Sequence, residues 1–318
     1  MDVDALAARL DRYQRRRSWL GFPLAVGRKY ADDRGVYMAA TITYYAFFSL
    51  FPLLLVATTV LGFVLRGHKH LQQKIVNSAL GQFPVIGRDL QLHALRGNFT
   101  ALVIGLVLAL WSASAVFVAL ENAMSELWGT PFRERLSFLR RRGRALLVMI
   151  VLGVGAVGTT VLSGLGTVGT SYGAAFRIGA VALSVLFDIG LFWVAFRLLT
   201  PGDVSARALR AGAITAGIAW PILQAAGGFY VSHVLKHASN TYGAFASVIG
   251  LLSFIYLSVV VLLVAAELNV VVAQRLWPRS LSFGDQLAPT EADRRALGEL
   301  ARDAERRPDE EVEVELPR

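Results

Sequence analysis

Long apolar runs recur along this chain, and no other feature so narrows what it can fold into. A bilayer core about 30 Å thick is crossed by roughly 20 residues of helix. Six stretches reach that length with few or no charges: approximately 41–65, 99–120, 145–169, 174–199, 209–232 and 244–273. Hydrocarbon offers the backbone no hydrogen-bond partner, so a spanning segment is either a helix or a strand of a closed barrel. Barrel strands would be about 10 residues long and would alternate apolar with polar side chains. These runs do neither, and with 55% hydrophobic and 17% charged residues the fold class is an all-α, polytopic membrane protein with about six transmembrane helices.

A formal charge of +9 could suggest nucleic acid, but the positions of the cations argue for topology. The segment up to Arg34 carries eight Lys and Arg, the 121–144 connection six, the 197–210 connection three and the stretch after Ala273 eight. The alternate connections share the remaining seven, five of them in the long 66–98 loop. By the positive-inside rule this gives an N-in, C-in arrangement. Three regions follow: a cytoplasmic amphipathic N-terminal segment (1–35), a six-helix transmembrane domain (36–278) and a mobile charged cytoplasmic tail (279–318). Within the first, Leu6, Leu10 and Tyr13 recur at near-helical spacing, as in a helix lying on an anionic leaflet or a solvated one. A cleaved signal peptide is not expected, because the apolar stretch after Arg17 contains Pro23 and runs into Arg28-Lys29.

Leu71, Ile75, Ala79 and Phe83 predict a short helix in the 66–98 loop, too short to span. Glycines at 153, 155, 158, 164, 166 and 169 in the third run permit close helix approach. Cysteine is absent, which excludes disulfides and thiolate chemistry. Zinc-protease helices and phosphate loops are absent too, and no enzyme, cofactor or metal is expected. The five histidines (68, 70, 93, 233 and 237) fall in outer connections. His233 and His237 could share one helix face, but without a third ligand they read as exposed and unspecialised.

Charges within a span are costly and need a reason. Asp188 lies 11 residues from Arg177 and 9 from Arg197, near the midplane, with Ser184 one turn away. Two roles fit it: a proton or cation site, or a hydrogen-bond partner for a neighbouring helix. Glu267 sits about two turns inside the interface with Asn269 beside it, and pairing with a loop arginine is its ordinary role. Tyr44, Tyr45, Ser49 and Pro52 in the first span, and Pro221 with Gln224 in the fifth, combine polar groups with helix-breaking prolines. Two such helices can line a cavity or simply adjust packing.

Several segments together carry a family resemblance: Thr43-Tyr44-Tyr45-Ala46-Phe47-Phe48-Ser49-Leu50-Phe51-Pro52, Trp111-Ser112-Ala113-Ser114 with Trp128-Gly129 beyond it, Tyr242-Gly243-Ala244, and Ala266-Glu267-Leu268-Asn269. In this order and spacing, over about residues 25–278, the chain resembles the YihY/virulence factor BrkB family of bacterial inner-membrane proteins. The resemblance implies a multi-pass inner-membrane location and adds Trp111, Ser112, Arg197, Tyr242 and Gly243 to the candidate positions. Where the family often has a Tyr-Arg-like pair before a proline, this chain has Phe196-Arg197 and Pro201, so a tyrosine hydroxyl is missing. Asp188 matches no family motif. Family members have been labelled as ribonuclease BN and as serum-resistance factors. The ribonuclease label fits this sequence poorly, since no acid/base or metal cluster suited to phosphodiester cleavage occurs.

Three functions follow. The first is a transporter or flippase-like protein for a lipid, amphiphile or envelope component, motivated by proline-interrupted, glycine-rich helices with few buried charges. The second is a cation/proton antiporter using Asp188, with Glu267 as a second carboxylate. The third is a non-transporting membrane scaffold. The partners expected are membrane lipids and a lipid or ion substrate, not nucleic acid; a homo-oligomer is compatible with the sequence.

Overall fold

The computed structural model describes residues 11, 13–14, 18–64, 99–135, 137–168, 174–229, 244–280, 289–303, 305 and 312. Among these, every regular element is helical: α1 (Ser18–Asp32), α2 (Gly35–Val64), α3 (Phe99–Leu127), a 3₁₀ turn (Phe132–Glu134), α4 (Phe138–Val168), α5 (Ala174–Leu199), α6 (Arg210–Phe229), α7 (Ala244–Gln274) and α8 (Glu291–Asp303). The all-α expectation holds. Among the described residues, four stretches are long and apolar enough to cross a membrane: Gly35–Leu53, Val103–Leu127, Ile178–Leu199 and Val248–Gln274. They belong to α2, α3, α5 and α7. Helices α4 and α6 occupy the places of the third and fifth runs. The 66–98 loop, all five histidines, Tyr242 and Gly243 lie outside the described residues.

Residues 291–303, read in sequence as part of a mobile tail, form the ordered helix α8. The cause is local. Thr290 Oγ1 accepts a hydrogen bond from the Asp293 N–H (3.1 Å), and Asp293 Oδ2 accepts one from the Thr290 N–H (3.0 Å). This reciprocal pair closes the first turn as a capping box, with Asp in place of the commoner Glu.

Two compact units are present. The first comprises residues 1–39, 120–220 and 260–318. Its core includes Met124, Leu127, Val148, Phe196, Leu209, Leu263, Val270 and Leu276, all fully buried or nearly so. Small residues set its helix spacings. A Cβ on Gly155 of α4 would run into the Leu191 side chain of α5, and one on Gly158 would come within 2.8 Å of Phe187; Gly153 faces open space. The sequence expectation of a glycine face for close approach thus holds at 155 and 158 and not at 153.

Three chain reversals in this unit use left-handed backbone. Gly129 (φ 59°) follows α3, with Gly129 N–H bonded to Glu126 O and Thr130 N–H to Ser125 O, the paired bonds of a Schellman cap. Arg34 (φ 56°) after α1 and Arg275 (φ 53°) after α7 adopt the same region without being glycine, at a cost of about 1 kcal/mol each. The surrounding packing must hold them there.

The second unit comprises residues 40–119 and 221–259. Ile42, Thr43, Ser49, Ala109, Ser114, Leu223 and Val259 are buried in it, while most large apolar side chains point outward. Gly227 of α6 lies against the Phe254 ring of α7 with no room for a side chain between them.

Candidate functional site

In the first unit the most concentrated chemistry is a buried ionic cluster around Lys29. One turn before the end of α1, its side chain is 3% exposed. Asp33 lies one helical turn on, four residues after Lys29, so the two side chains share a face. The Lys29 ammonium donates to the Asp33 carboxylate and to Leu127 O at 3.2 Å, and Glu267 Oε2 of α7 lies 4.0 Å away. Glu267 is fully buried. A lysine of α1 is therefore its counter-ion, not the loop arginine expected. A short lysine arm from a neighbouring helix can reach so enclosed a carboxylate, whereas a guanidinium arriving from a loop would have to cross packed side chains.

Burial by itself would lower the Lys29 ammonium, but the charges of Glu267 and Asp33 more than offset it and raise it instead. Burial pushes Asp33 up, against the pull of Lys29. Glu299 of α8 completes the group. Burial raises it to about 7, with Lys29 pulling it down and Asp33 pushing it up. Lys29 thus acts on three acidic side chains, and Arg302 and Arg279 add to its pull on Glu299.

Helix α8 reaches this cluster through a second set of charges. Asp293 accepts from Arg279 Nε (3.1 Å), the Ser280 N–H (3.0 Å) and Thr290 Oγ1 (2.8 Å) in addition to the Thr290 N–H. Burial would raise this carboxyl, yet those hydrogen bonds outweigh burial and lower it. Arg279 is 3% exposed and also holds Asp32 at 2.7 Å, and Gln14 donates to the Arg279 carbonyl. Close packing at Gly129 seats the helix: a Cβ there would lie 3.3 Å from that of Glu299.

Asn269 turns away from Glu267, because residues two apart on a helix point to nearly opposite sides. Its Oδ1 accepts from the Gly212 N–H at 2.6 Å, satisfying a donor in the first turn of α6 that has no partner within its own helix. A Cβ on Gly212 would collide with the Ala265 carbonyl, so glycine is required for this approach. The Ala266-Glu267-Leu268-Asn269 segment thereby ties α7 to α1 on one side and to α6 on the other.

Asp188 stands apart. It is 6% exposed, and among the described residues no hydrogen bond reaches its Oδ1. Its neighbour Ile189 presents backbone directly against Gly217 of α6, which leaves little space on that side. Arg197, more than two turns along α5, donates to Val204 O at 3.4 Å. Phe196 is 1% exposed, so an apolar ring fills the site where a tyrosine would need a partner for its hydroxyl.

The remaining candidates lie in the second unit. Tyr44, Tyr45, Phe48 and Phe51 form a continuous aromatic stripe on α2, with ring centroids 5.7 Å apart for Tyr44–Tyr45, 4.6 Å for Tyr44–Phe48 and 6.2 Å for Phe48–Phe51. Tyr44 is 58% and Phe48 51% exposed. Ser49 turns inward and donates to Ala46 O at 2.8 Å, just before Pro52. Trp111 of α3 is exposed, and Ser112 donates to Ala109 O at 3.2 Å. Pro221 is partly exposed and Gln224 exposed on α6. The prediction from sequence named Glu267 and Asn269 in the first unit but missed Lys29, Asp33, Arg279, Asp293, Glu299 and Gly212. Among the described residues no cluster of three or more His, Asp or Glu is arranged to hold a metal.

The sequence matches the family described as Virulence factor BrkB over residues 26–285, a stretch holding both the Lys29–Asp33–Glu267 group and the aromatic stripe. The chain belongs to the virulence factor BrkB family. This member is 24% identical to inner membrane protein YhjD of Escherichia coli over 72% of its own length and 74% of the relative's. It is 25% identical to the putative ribonuclease-like protein YfkH of Bacillus subtilis, over 78% and 93%. A UPF0761 membrane protein of Pseudomonas aeruginosa is 27% identical, over 81% of this chain and 64% of that one. No solved structure matches the chain. Family and apolar helices together make this BrkB member a membrane protein. Helix α8 lies beyond the matched segment, so the contact it makes with Arg279 joins family-matched chain to chain outside the match.

Proposed function

We propose that this BrkB family member is a six-span, N-in and C-in protein of the bacterial inner membrane that moves an amphiphile, in the manner of a flippase. In this reading it is not an enzyme. The aromatic stripe from Tyr44 to Phe51 carries the reading: four rings in contact along one face of a continuous helix that contains Pro52, more than half exposed at Tyr44 and Phe48. An acyl chain gains from such a surface by apolar burial and needs few polar partners. The charged groups around Lys29 and Arg279 engage one another instead, as expected of anchors rather than of a reaction centre.

A second reading, cation/proton antiport, is favoured by Asp188 alone. A carboxyl 6% exposed with an unpartnered oxygen in the middle of a span is the minimum such exchange requires.

Reconstituted protein separates the two. Fluorescent-lipid translocation in proteoliposomes is expected to fall several-fold in a Tyr44→Ala, Phe48→Ala double variant and to be unchanged in Asp188→Asn. Proton flux abolished by Asp188→Asn, with no lipid movement in the parent protein, would replace the first reading by the second.

A further inference from the structure

Within the first unit, a cavity of about 120 Å³ opens between the end of α3, the 3₁₀ turn, the start of α4 and the end of α5. Glu121, Glu134 and Asp203 contribute carboxylates to its wall, and Arg135 and Arg144 contribute guanidinium groups. Glu121 is 5% exposed. Its Oε1 lies 3.9 Å from Arg144 Nη1, beyond a direct hydrogen bond. Arg144 is held elsewhere, donating through Nη2 to Thr200 O at 2.8 Å, and Arg135 Nε leans on Thr130 O at 3.4 Å. Glu121 and Arg144 therefore face one space without closing on each other.

The mixed charge decides what fits. A bare metal cation would meet two guanidinium groups, and a bare anion would meet three carboxylates; a small zwitterion satisfies both. The volume suits a compact group such as a short aminoalkyl phosphate better than a nucleotide. Depth agrees with this. Glu121 lies six residues inside the end of α3 and Arg144 six residues inside the start of α4, roughly 9 Å along each helix. Glu121 and Arg144 flank the ends of the apolar runs 99–120 and 145–169, where a bilayer would pass from hydrocarbon to headgroups.

We infer that this cavity binds an ethanolamine-phosphate group, with Glu121 taking the primary ammonium and Arg135 and Arg144 the phosphate. The inference rests on the amphiphile reading and names the headgroup that would be recognised. An ammonium with three N–H donors is selected over a quaternary one, because only the former can hydrogen-bond to the buried carboxylate. The group could arrive on a lipid or as free ethanolamine phosphate.

The test is lipid retention by purified full-length protein, read by native mass spectrometry after exchange into equal mixtures of phosphatidylethanolamine, phosphatidylcholine and phosphatidylglycerol. Ethanolamine lipid is expected to be retained about tenfold over both others, and Glu121→Gln to remove that preference. Should Glu121→Gln not yield folded protein, the exposed Asp203→Asn carries the same comparison and is expected to weaken it. Free ethanolamine phosphate tests the source. Displacement of bound lipid by it shows that the headgroup suffices, and preference without displacement shows that acyl chains contribute; both outcomes support the site. Equal retention of the three lipids, or a preference untouched by the variants, overturns it. Failure of transport is distinguishable: headgroup preference without lipid flux sinks the flippase reading and leaves the site, whereas flux without preference sinks the site.

Discussion

Replacing Lys29 by methionine tests the buried cluster most directly. Methionine keeps the length of the side chain and removes only the charge. At neutral pH the change leaves Asp33 and Glu267 facing each other with no cation, both almost completely shielded from water, and it frees the Leu127 carbonyl of its donor. Breaking a buried ion pair from one side costs about 3–5 kcal/mol, which at about 2–4 °C per kcal/mol is a fall in Tm on the order of 10 °C. The assay is thermal unfolding in detergent micelles, followed by tryptophan fluorescence, at pH 7.5 and again at pH 5. Lower pH should shrink the difference between variant and parent, because Glu299, which burial raises to about 7, then takes up a proton, and burial pushes Asp33 in the same direction. Adding Asp33→Asn and Glu267→Gln to Lys29→Met should restore most of the loss, since no unpaired charge remains. A single variant within about 1 kcal/mol of the parent, or a triple variant no better than the single, would refute the reasoning.

Three further outcomes are expected. Gly212→Ala should destabilise by about 1–3 kcal/mol through the collision with the Ala265 carbonyl, read as a lower Tm, whereas Gly153→Ala, which faces open space, should be silent. Asp293→Ala removes the capping partner and an anchor of Arg279 and should cost about 2–3 kcal/mol; its signature is faster proteolysis at 281–303 by trypsin. For Glu299 the sign follows from its raised value. The stability it contributes is complete below its ordinary 4.5 and is lost as pH rises through about 7. A titration of Tm between pH 5 and 8 should therefore flatten in Glu299→Gln, by about 1–2 kcal/mol once the part of the side chain that water reaches is allowed for.

How much of this was legible in the sequence differs by region. Apolar runs announce membrane helices because hydrocarbon imposes one solution on the backbone, and α5 and α7 begin and end where the runs do, while α2 starts several residues before its run and α3 continues several beyond it. The Ala266-Glu267-Leu268-Asn269 segment could be singled out as polar groups in an apolar helix, but not its partners: Lys29 and Gly212 are distant in sequence, and nothing local marks either as buried. Lys29 read as one more positive-inside charge, since a charge tally cannot separate a lysine that snorkels to water from one folded inward. The α8 helix carries its own local signal. Thr290 followed three residues later by Asp293 is a capping signature, and it was masked by the acidic, polar composition around it. At Asp188 the sequence showed a charge in a span, and the structure adds its burial and its unpartnered oxygen.

The wiring of the first unit also bears on how the protein is made. Gln14 bonds the carbonyl of a residue 265 positions away, and Lys29, paired locally with Asp33, meets its second carboxylate, Glu267, only on α7. At about 5–20 residues per second the ribosome needs roughly 13–50 s to supply that distant partner. Throughout that interval α1 has left the ribosome with a lysine and an aspartate whose destination does not yet exist. Until α7 inserts, the segment must wait at the membrane surface with those groups hydrated, and only then can it be drawn into the fold. Biogenesis of this protein therefore has a late step, the docking of its first helix, and a chain stopped before Glu267 should accumulate with that helix open to protease even though its earlier spans have inserted.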